Sequence, residues 1–564
     1  MKFKKLFLLL LALTFVFVIA ACGDETETEE PMEESGSETS NETEDSKEEE
    51  SAMEDAKPGE PKAGGTLIVG SSGSPTLFNS LYSTDTASSD IESLIYNGLV
   101  GADTTFATEY DLAEDVQLSE DGLTVTVKIK EGVTFHDGEA LTADDVVFTY
   151  NVPKSPDYVG ERGSNFDGID TITKIDDYTV EFKLNKKDAT FVPTTLSYGI
   201  LPEHILKDVP IAELGENEFN TKSPIGTGPF KFVEWKDGEY VKVTRNDDYF
   251  EGAPYLDEVI YKLVPDANTL ILQLQAGDID YHTSVPSSDI ETVQGWAADE
   301  GVEIISELGL NYTYVGYNQL DERFQDKRVR QAFTHAINRE EIVEFILNGR
   351  GEVAHVPESP LSWAYNPDVP TFEYDVEKAK ELLKEAGWED TDGDGIIDKD
   401  GKKMSFEIKT NQGNKAREEI AVVLQEQFKE IGVEAKPNIV EWSAFIEAVT
   451  APKWEYEVLI LGWQLSTFPD QYDIFHSSQQ EEGLNFTWYS NPEVDTLLEE
   501  AKQILDQDAY KEAYGDIYKG IAEDQPYTFL YYPISNKAIP DNLQNYTFHG
   551  TNDFYKIETW WLDE

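Results

Sequence analysis

The chain has one cysteine, Cys22, which stands at the end of the apolar run that opens the sequence. No disulfide can form within it, so whatever folds further on must be held by buried apolar surface. Lys2, Lys4 and Lys5 precede the run from Leu6 to Ala20. At 1.5 Å per helical residue that run reaches roughly 22 Å, short of the ~30 Å hydrocarbon core of a bilayer. A basic start, a short apolar stretch and small residues after it describe a cleaved export signal over residues 1–21, not a spanning helix.

Ile19-Ala20-Ala21-Cys22 resembles a bacterial lipobox, which makes Cys22 the expected lipid attachment point. Each methylene buried in the membrane contributes ~0.8 kcal/mol, so two or three acyl chains form a stable anchor. Residues 22–62 are mostly Glu, Asp, Ser, Thr and Pro. Nothing in that stretch offsets the entropy of ordering it, and it reads as a disordered acidic tether. The body beyond residue 62 is too long for one simple core, so two or more domains are expected.

Charge narrows the partners. Asp and Glu number 111 against 44 Lys and Arg, for a net charge of −67. Such a surface disfavours nucleic acid and anionic lipid, both of which need basic patches. Acidic excess also suits a protein that must stay soluble in high salt.

Hydrophobic periodicity gives the class. Thr66–Gly70 is a short apolar strand, and Leu123–Lys130 alternates apolar and polar residues as a half-buried strand does. Tyr178–Leu184, Tyr240–Thr244 and Met404–Thr410 repeat the pattern. Helices are expected over Val376–Ala386, Glu418–Ile431 and Pro492–Leu505, the first capped by Asp375 and closed by Gly387. Alternating strands and helices indicate a layered α/β fold.

Several blocks then occur in a telling order. Gly132-Val133-Thr134-Phe135-His136-Asp137-Gly138 leads into Leu141-Thr142-Ala143-Asp144-Asp145-Val146-Val147-Phe148. Gly226-Thr227-Gly228-Pro229-Phe230 follows, then Val329-Arg330-Gln331-Ala332-Phe333 with Ala336-Ile337-Asn338-Arg339, and finally Tyr489-Ser490-Asn491-Pro492-Glu493-Val494-Asp495. Together they resemble the solute-binding proteins of oligopeptide and dipeptide ABC importers (extracellular family 5). The resemblance implies a two-lobed periplasmic-binding-protein fold of type II, cluster C. Lobe I would take residues 63–98, 201–311 and 532–564, with an extra subdomain inserted over 99–200. Lobe II would take 312–531, and two crossings, near Tyr312–Asn318 and Tyr531–Ser535, would form the hinge. It also implies a monomer that captures an oligopeptide, or an oligosaccharide, nickel chelate or signalling peptide, for separate permease and ATPase subunits.

In peptide-binding relatives the cleft uses a tryptophan and, three residues later, an aspartate that pairs with the peptide ammonium. Here Trp463 matches the first and Ser466 stands at the second, while Asp470 matches a later acid. Tyr317, Asn318, Tyr472, His476 and Asn485 are further candidates, with Asn79 and Tyr82 from the polar loop after the opening strand. Read without the family, the alternatives are Trp463 as a core residue and Asp470 as an N-cap or turn acid. A separate stretch places Asp390, Asp392, Asp394 and Asp398 at positions one, three, five and nine of an EF-hand-like loop, with the Ile396 carbonyl at seven. Position twelve is Gly401, not glutamate, so the alternatives are a structural calcium site and an Asx-rich turn. Binding itself requires no cofactor. The chain has no Gly-x-Ser-x-Gly or His-Glu-x-x-His motif, and its 7 histidines are scattered, which weighs against an exported hydrolase.

Overall fold

The computed structural model describes residues 60–481 and 483–563. The export signal, Cys22 and residues 22–59 lie outside the described residues. A twelve-stranded sheet forms the spine of the body. Its path runs from Glu434–Val440 through Ser405–Asn411, Val458–Gln464 and Asn311–Tyr317 to Tyr527–Pro540. It continues through Tyr281–His282, Thr66–Ser71, Glu258–Leu263 and Tyr240–Arg245 to Phe230–Lys236.

Tyr527–Pro540 is the strand that joins the two halves. Its first part pairs with Asn311–Tyr317, from Gly316↔Tyr527 to Thr313↔Tyr531. Its second part pairs with Val302–Leu308, from Leu308↔Ile534 to Val302↔Pro540. The chain therefore passes between halves twice, side by side, and Gly309 N–H donates to the Pro533 carbonyl where the passages meet. The first passage falls between Leu308 and Asn311, earlier than Tyr312–Asn318. Those residues are instead the central strand of the second half, buried along nearly its whole length. Strands covered on both faces read as continuous apolar runs, as Val458–Leu461 also does.

A separate antiparallel sheet of Ala113–Leu118, Thr124–Ile129, Thr179–Leu184 and Ile169–Asp176 lies within residues 99–200. Its two inner strands alternate as expected for a sheet with one solvated face, turning Val125, Val127, Val180 and Phe182 into the core. Beside it the helix Ala143–Asn151 begins with a capping box in which Thr142 N–H donates to Asp145 Oδ2 at 2.9 Å. Asp375 caps Val376–Glu385 by accepting Lys378 N–H at 2.9 Å. Gly387 then takes φ +89°, the left-handed geometry that stops a helix cheaply only at glycine.

Candidate ligand-binding cleft

A cavity of about 350 Å³ opens between the two halves of the large sheet and is lined by residues of both. That volume is at the lower end of the range of small-molecule sites. Its second-half wall is the strand Val458–Gln464. One edge of this strand pairs with Asn311–Tyr317 over its full length. On the other edge Ser405–Asn411 meets only Val458 and Leu459, with Thr410 Oγ1 donating to the Ile460 carbonyl at 3.0 Å. Past that point the edge at Leu461–Gln464 has no strand partner among the described residues, and Gly462, Trp463 and Gln464 line the cavity. Trp463 is half-buried and stacks on Phe486 with ring centroids 5.2 Å apart.

The first-half wall is built around Asp90, Tyr261, Lys537 and Asp553. Tyr261 O–H donates to Asp90 Oδ2 at 2.6 Å, and Lys537 pairs with Asp553. Burial first, then the neighbouring Asp553 charge, push the Asp90 carboxyl well above the usual range. On the adjacent strand Ser284 N–H donates to His282 Nδ1 at 3.2 Å, which leaves the ring proton on Nε2. Burial holds His282 down to about 4, so the ring is neutral at ordinary pH.

Five cavity-lining residues carry buried polar atoms without a partner among the described residues: His282 Nε2, Asn311 Oδ1, Tyr312 Oη, Arg417 Nε and Trp442 Nε1. Buried polar groups are nearly always hydrogen-bonded, so five such atoms among the residues of one cavity set this lining apart from the satisfied core around it.

The ten residues named from the sequence divide sharply. Trp463 lines the cavity; the other nine do not. Tyr317 is fully buried with its hydroxyl 2.7 Å from Thr528 Oγ1, and Asn318 Nδ2 donates to the Tyr456 carbonyl at 2.9 Å. Asn79 Nδ2 donates to Asn220 Oδ1 at 3.0 Å inside the first half, and Tyr82 packs on Tyr158. Asn485 spans the His476 and Tyr489 carbonyls, while Tyr472 and His476 stack at 4.2 Å. Ser466 is exposed and receives Phe468 N–H at 3.4 Å. Asp470 accepts Tyr514 O–H at 2.8 Å and Tyr472 N–H at 3.0 Å, and Lys502 Nζ stands 3.5 Å from it. That carboxylate has its cation already. Sequence reasoning missed Arg417, His282, Trp442 and Asn311, because no spacing links them; the fold alone brings them to one space.

In the Asp-rich loop, Asp390, Asp392 and Asp398 bring ligand atoms within 4.8 Å of one another. Asp390 accepts Gly393 N–H at 2.7 Å and Gly395 N–H at 3.0 Å. Asp398 receives Thr391 N–H at 3.0 Å and its hydroxyl. Asp394 receives Ile396 N–H at 3.0 Å and turns to Lys403, whose ammonium also lies 3.3 Å from Asp392.

With this geometry established, comparison with known proteins identifies its class. The profile of the bacterial extracellular solute-binding proteins, family 5 Middle, matches residues 107–485. The chain belongs to that family. Among family 5 proteins it is 54% identical to the oligopeptide-binding protein AppA of Bacillus subtilis, over 100% of both chains. The structure of Bacillus subtilis AppA in complex with a nonapeptide superposes with a TM-score of 0.88 at 56% identity, covering 90% of this chain and 100% of that one. NikZ from Campylobacter jejuni, in complex with Ni(L-His), gives a TM-score of 0.80 at 29% identity, covering 88% of this chain and 99% of its own. The fold is thus the type II periplasmic-binding-protein fold of family 5.

Proposed function

We propose that this protein captures oligopeptides in the cleft and delivers them to the permease and ATPase subunits of an ABC importer. A lipid on Cys22 would hold it at the extracytoplasmic face of the cell membrane, and a monomer suffices for the task. It makes and breaks no bond: the two side-by-side passages at 309–310 and 532–533 act as a hinge, and ligand binding favours the closed arrangement. The observation that carries this reading is the unpartnered strand edge at Leu461–Gln464 on the cavity wall. Such an edge offers main-chain donors and acceptors to any extended peptide, whatever its side chains. The 54% identity with an oligopeptide-binding protein over the full length supports the same class.

The test is a thermal-shift and tryptophan-fluorescence titration of the mature chain. The panel holds peptides of two to ten residues, oligosaccharides and a nickel–histidine chelate. A ligand at 100-fold its Kd stabilises the folded state by about 2.7 kcal/mol, which such a shift resolves. Stabilisation by peptides alone is expected. Stabilisation by the sugars or the chelate alone would overturn the assignment.

A further inference from the structure

Each half of the body carries more acidic than basic residues, in a chain of net charge −67. Bringing the halves together therefore sets like charges against each other. At the ~8 Å Debye length of physiological salt, that repulsion is felt where the two rims of the cleft approach.

Among the described ion pairs, one joins the two halves. Lys415 Nζ lies 3.0 and 3.1 Å from the two carboxylate oxygens of Asp289. Asp289 immediately precedes the helix Ile290–Ala297, whose Ile290 and Val293 pack with Leu270 and Ala538 in the first half. Lys415 opens the helix Lys415–Glu430, whose Ile420, Leu424 and Phe428 pack with Val315 and Val458 in the second. The backbones meet at the same place. Gly413 has φ +94°, and a Cβ there would fall 2.7 Å from the Pro265 carbonyl oxygen of the first half. Ser287, Gly413 and Lys415 all line the cavity, so this contact stands on the rim of the ligand space. Elsewhere Ser164 Oγ donates to Asp473 Oδ1 at 2.7 Å, Ala189 N–H to the Lys502 carbonyl at 2.7 Å, and Gln464 Nε2 to the Gly550 carbonyl at 3.1 Å. None of those joins opposite charges.

We propose that Lys415 and Asp289 form an electrostatic latch, made when the cleft closes and broken when it opens, which sets how long a ligand is held. The inference rests on the hinge-closure reading above. An interaction present in only one of two states shifts their balance by its whole free energy. The side chains are 31% and 18% exposed, so the pair is partly screened and contributes about 3- to 5-fold in affinity.

A double-mutant cycle tests the latch, by calorimetry of the mature chain with the tightest peptide of the two- to ten-residue panel. Lys415→Met and Asp289→Asn should each weaken binding about 3- to 5-fold, with the dissociation rate rising in step in stopped-flow fluorescence. The double variant should be no weaker than either single one. Exchanging the charges, Lys415→Asp with Asp289→Lys, should restore affinity to within about twofold. The parent's advantage over Lys415→Met should shrink at 1 M salt, where the Debye length is ~3 Å. Screening of the general repulsion acts on both proteins alike, so that ratio isolates the pair. Thermal unfolding of each variant checks that it is folded.

Weakening by Lys415→Met alone would mean that the lysine touches the ligand, and losses that multiply in the double variant would mean two unrelated contacts. Either result, or unchanged affinity throughout, overturns the latch while leaving peptide capture standing. If a sugar or the chelate proves to be the ligand, the same cycle on that ligand tests the latch without the peptide reading. If nothing in the panel binds the parent, both fall together.

Discussion

Lys502→Met probes the charge cluster that occupies Asp470. Lys502 and Asp470 side chains are only 7% and 10% exposed, with Nζ 3.5 Å from Oδ2, and the ammonium lies 4.2 Å from the Tyr472 ring centroid. Burial works against the charged lysine, yet Asp470 and Asp473 outweigh it and raise Lys502 above its ordinary value. The cluster also ties two parts of the chain. Ser164 Oγ donates to Asp473 Oδ1 at 2.7 Å, and Ala189 N–H donates to the Lys502 carbonyl at 2.7 Å. Removing one partner of a buried pair costs ~3–5 kcal/mol, because the other charge is left uncompensated. The lower end, about 3 kcal/mol, applies here: the contact exceeds hydrogen-bonding distance, and Asp470 keeps its Tyr514 and Tyr472 donors.

The pH dependence provides a second constraint. Burial already raises Asp473, with Lys502 pulling it back, so loss of the lysine raises that carboxyl further. A carboxyl raised on folding penalises the folded state when it ionises, and the penalty disappears as pH falls toward the unfolded value near 3.9. The deficit of Lys502→Met should therefore be largest near pH 7 and shrink toward pH 5. Urea unfolding at both pH values reads it as a change in midpoint at constant slope. A deficit under about 1 kcal/mol at pH 7, or an equal one at both pH values, would refute the reasoning, since breaking a buried pair requires more.

Three further outcomes are expected. Trp463→Ala, which removes an aromatic cavity wall, should weaken peptide binding by about 2 kcal/mol, roughly 30-fold, in calorimetry; an unchanged Kd contradicts the cleft assignment. Lys403 neutralises Asp392 and Asp394, so Lys403→Ala should bind calcium more tightly than the parent in titration, and no binding by either protein would mean the loop is an Asx-rich turn only. Burial raises Glu92 to about 8 and Glu161, Glu358 and Asp111 to about 7, so near neutrality these four carboxyls hold more protons in the folded state than in the unfolded one, against a smaller opposite effect of the buried His136 and His282. Stability then falls as pH rises through that window, and Tm should be higher at pH 6 than at pH 8; the reverse order would contradict it.

Much of the fold was legible because it rests on local rules. Alternation at Leu123–Lys130, the Asp375 cap and the left-handed Gly387 each follow from the residues in place, and the structure shows strand, cap and stop there. Boundaries were less so: the helix expected from Glu418 begins at Lys415, because Asn414 supplies the cap that accepts Arg417 N–H. The first passage between halves was placed late because Asn311–Tyr317 is apolar enough to read as a connection or as a core strand, and only its pairing with Val458–Gln464 decides.

The site divides along a different line. A residue's type does not reveal its counter-charge when that partner is distant in sequence. Asp470 looked like an ammonium acceptor, but Lys502 and Tyr514 reach it from later helices and consume its capacity. Asn79, Asn318 and Asn485 looked like ligand amides, yet each satisfies buried backbone or side-chain groups of its own half. Arg417 gave no signal in its stretch of sequence, where Glu418 and Glu419 beside it suggest an ordinary solvated helix turn. Its environment differs because Glu418 turns instead to Gly413 N–H at 2.8 Å, and the guanidinium is left with the neutral Asn411 amide as its side-chain partner. Counter-charges and hydrogen-bond partners distant in sequence, not residue type, decide which polar groups the fold has already satisfied.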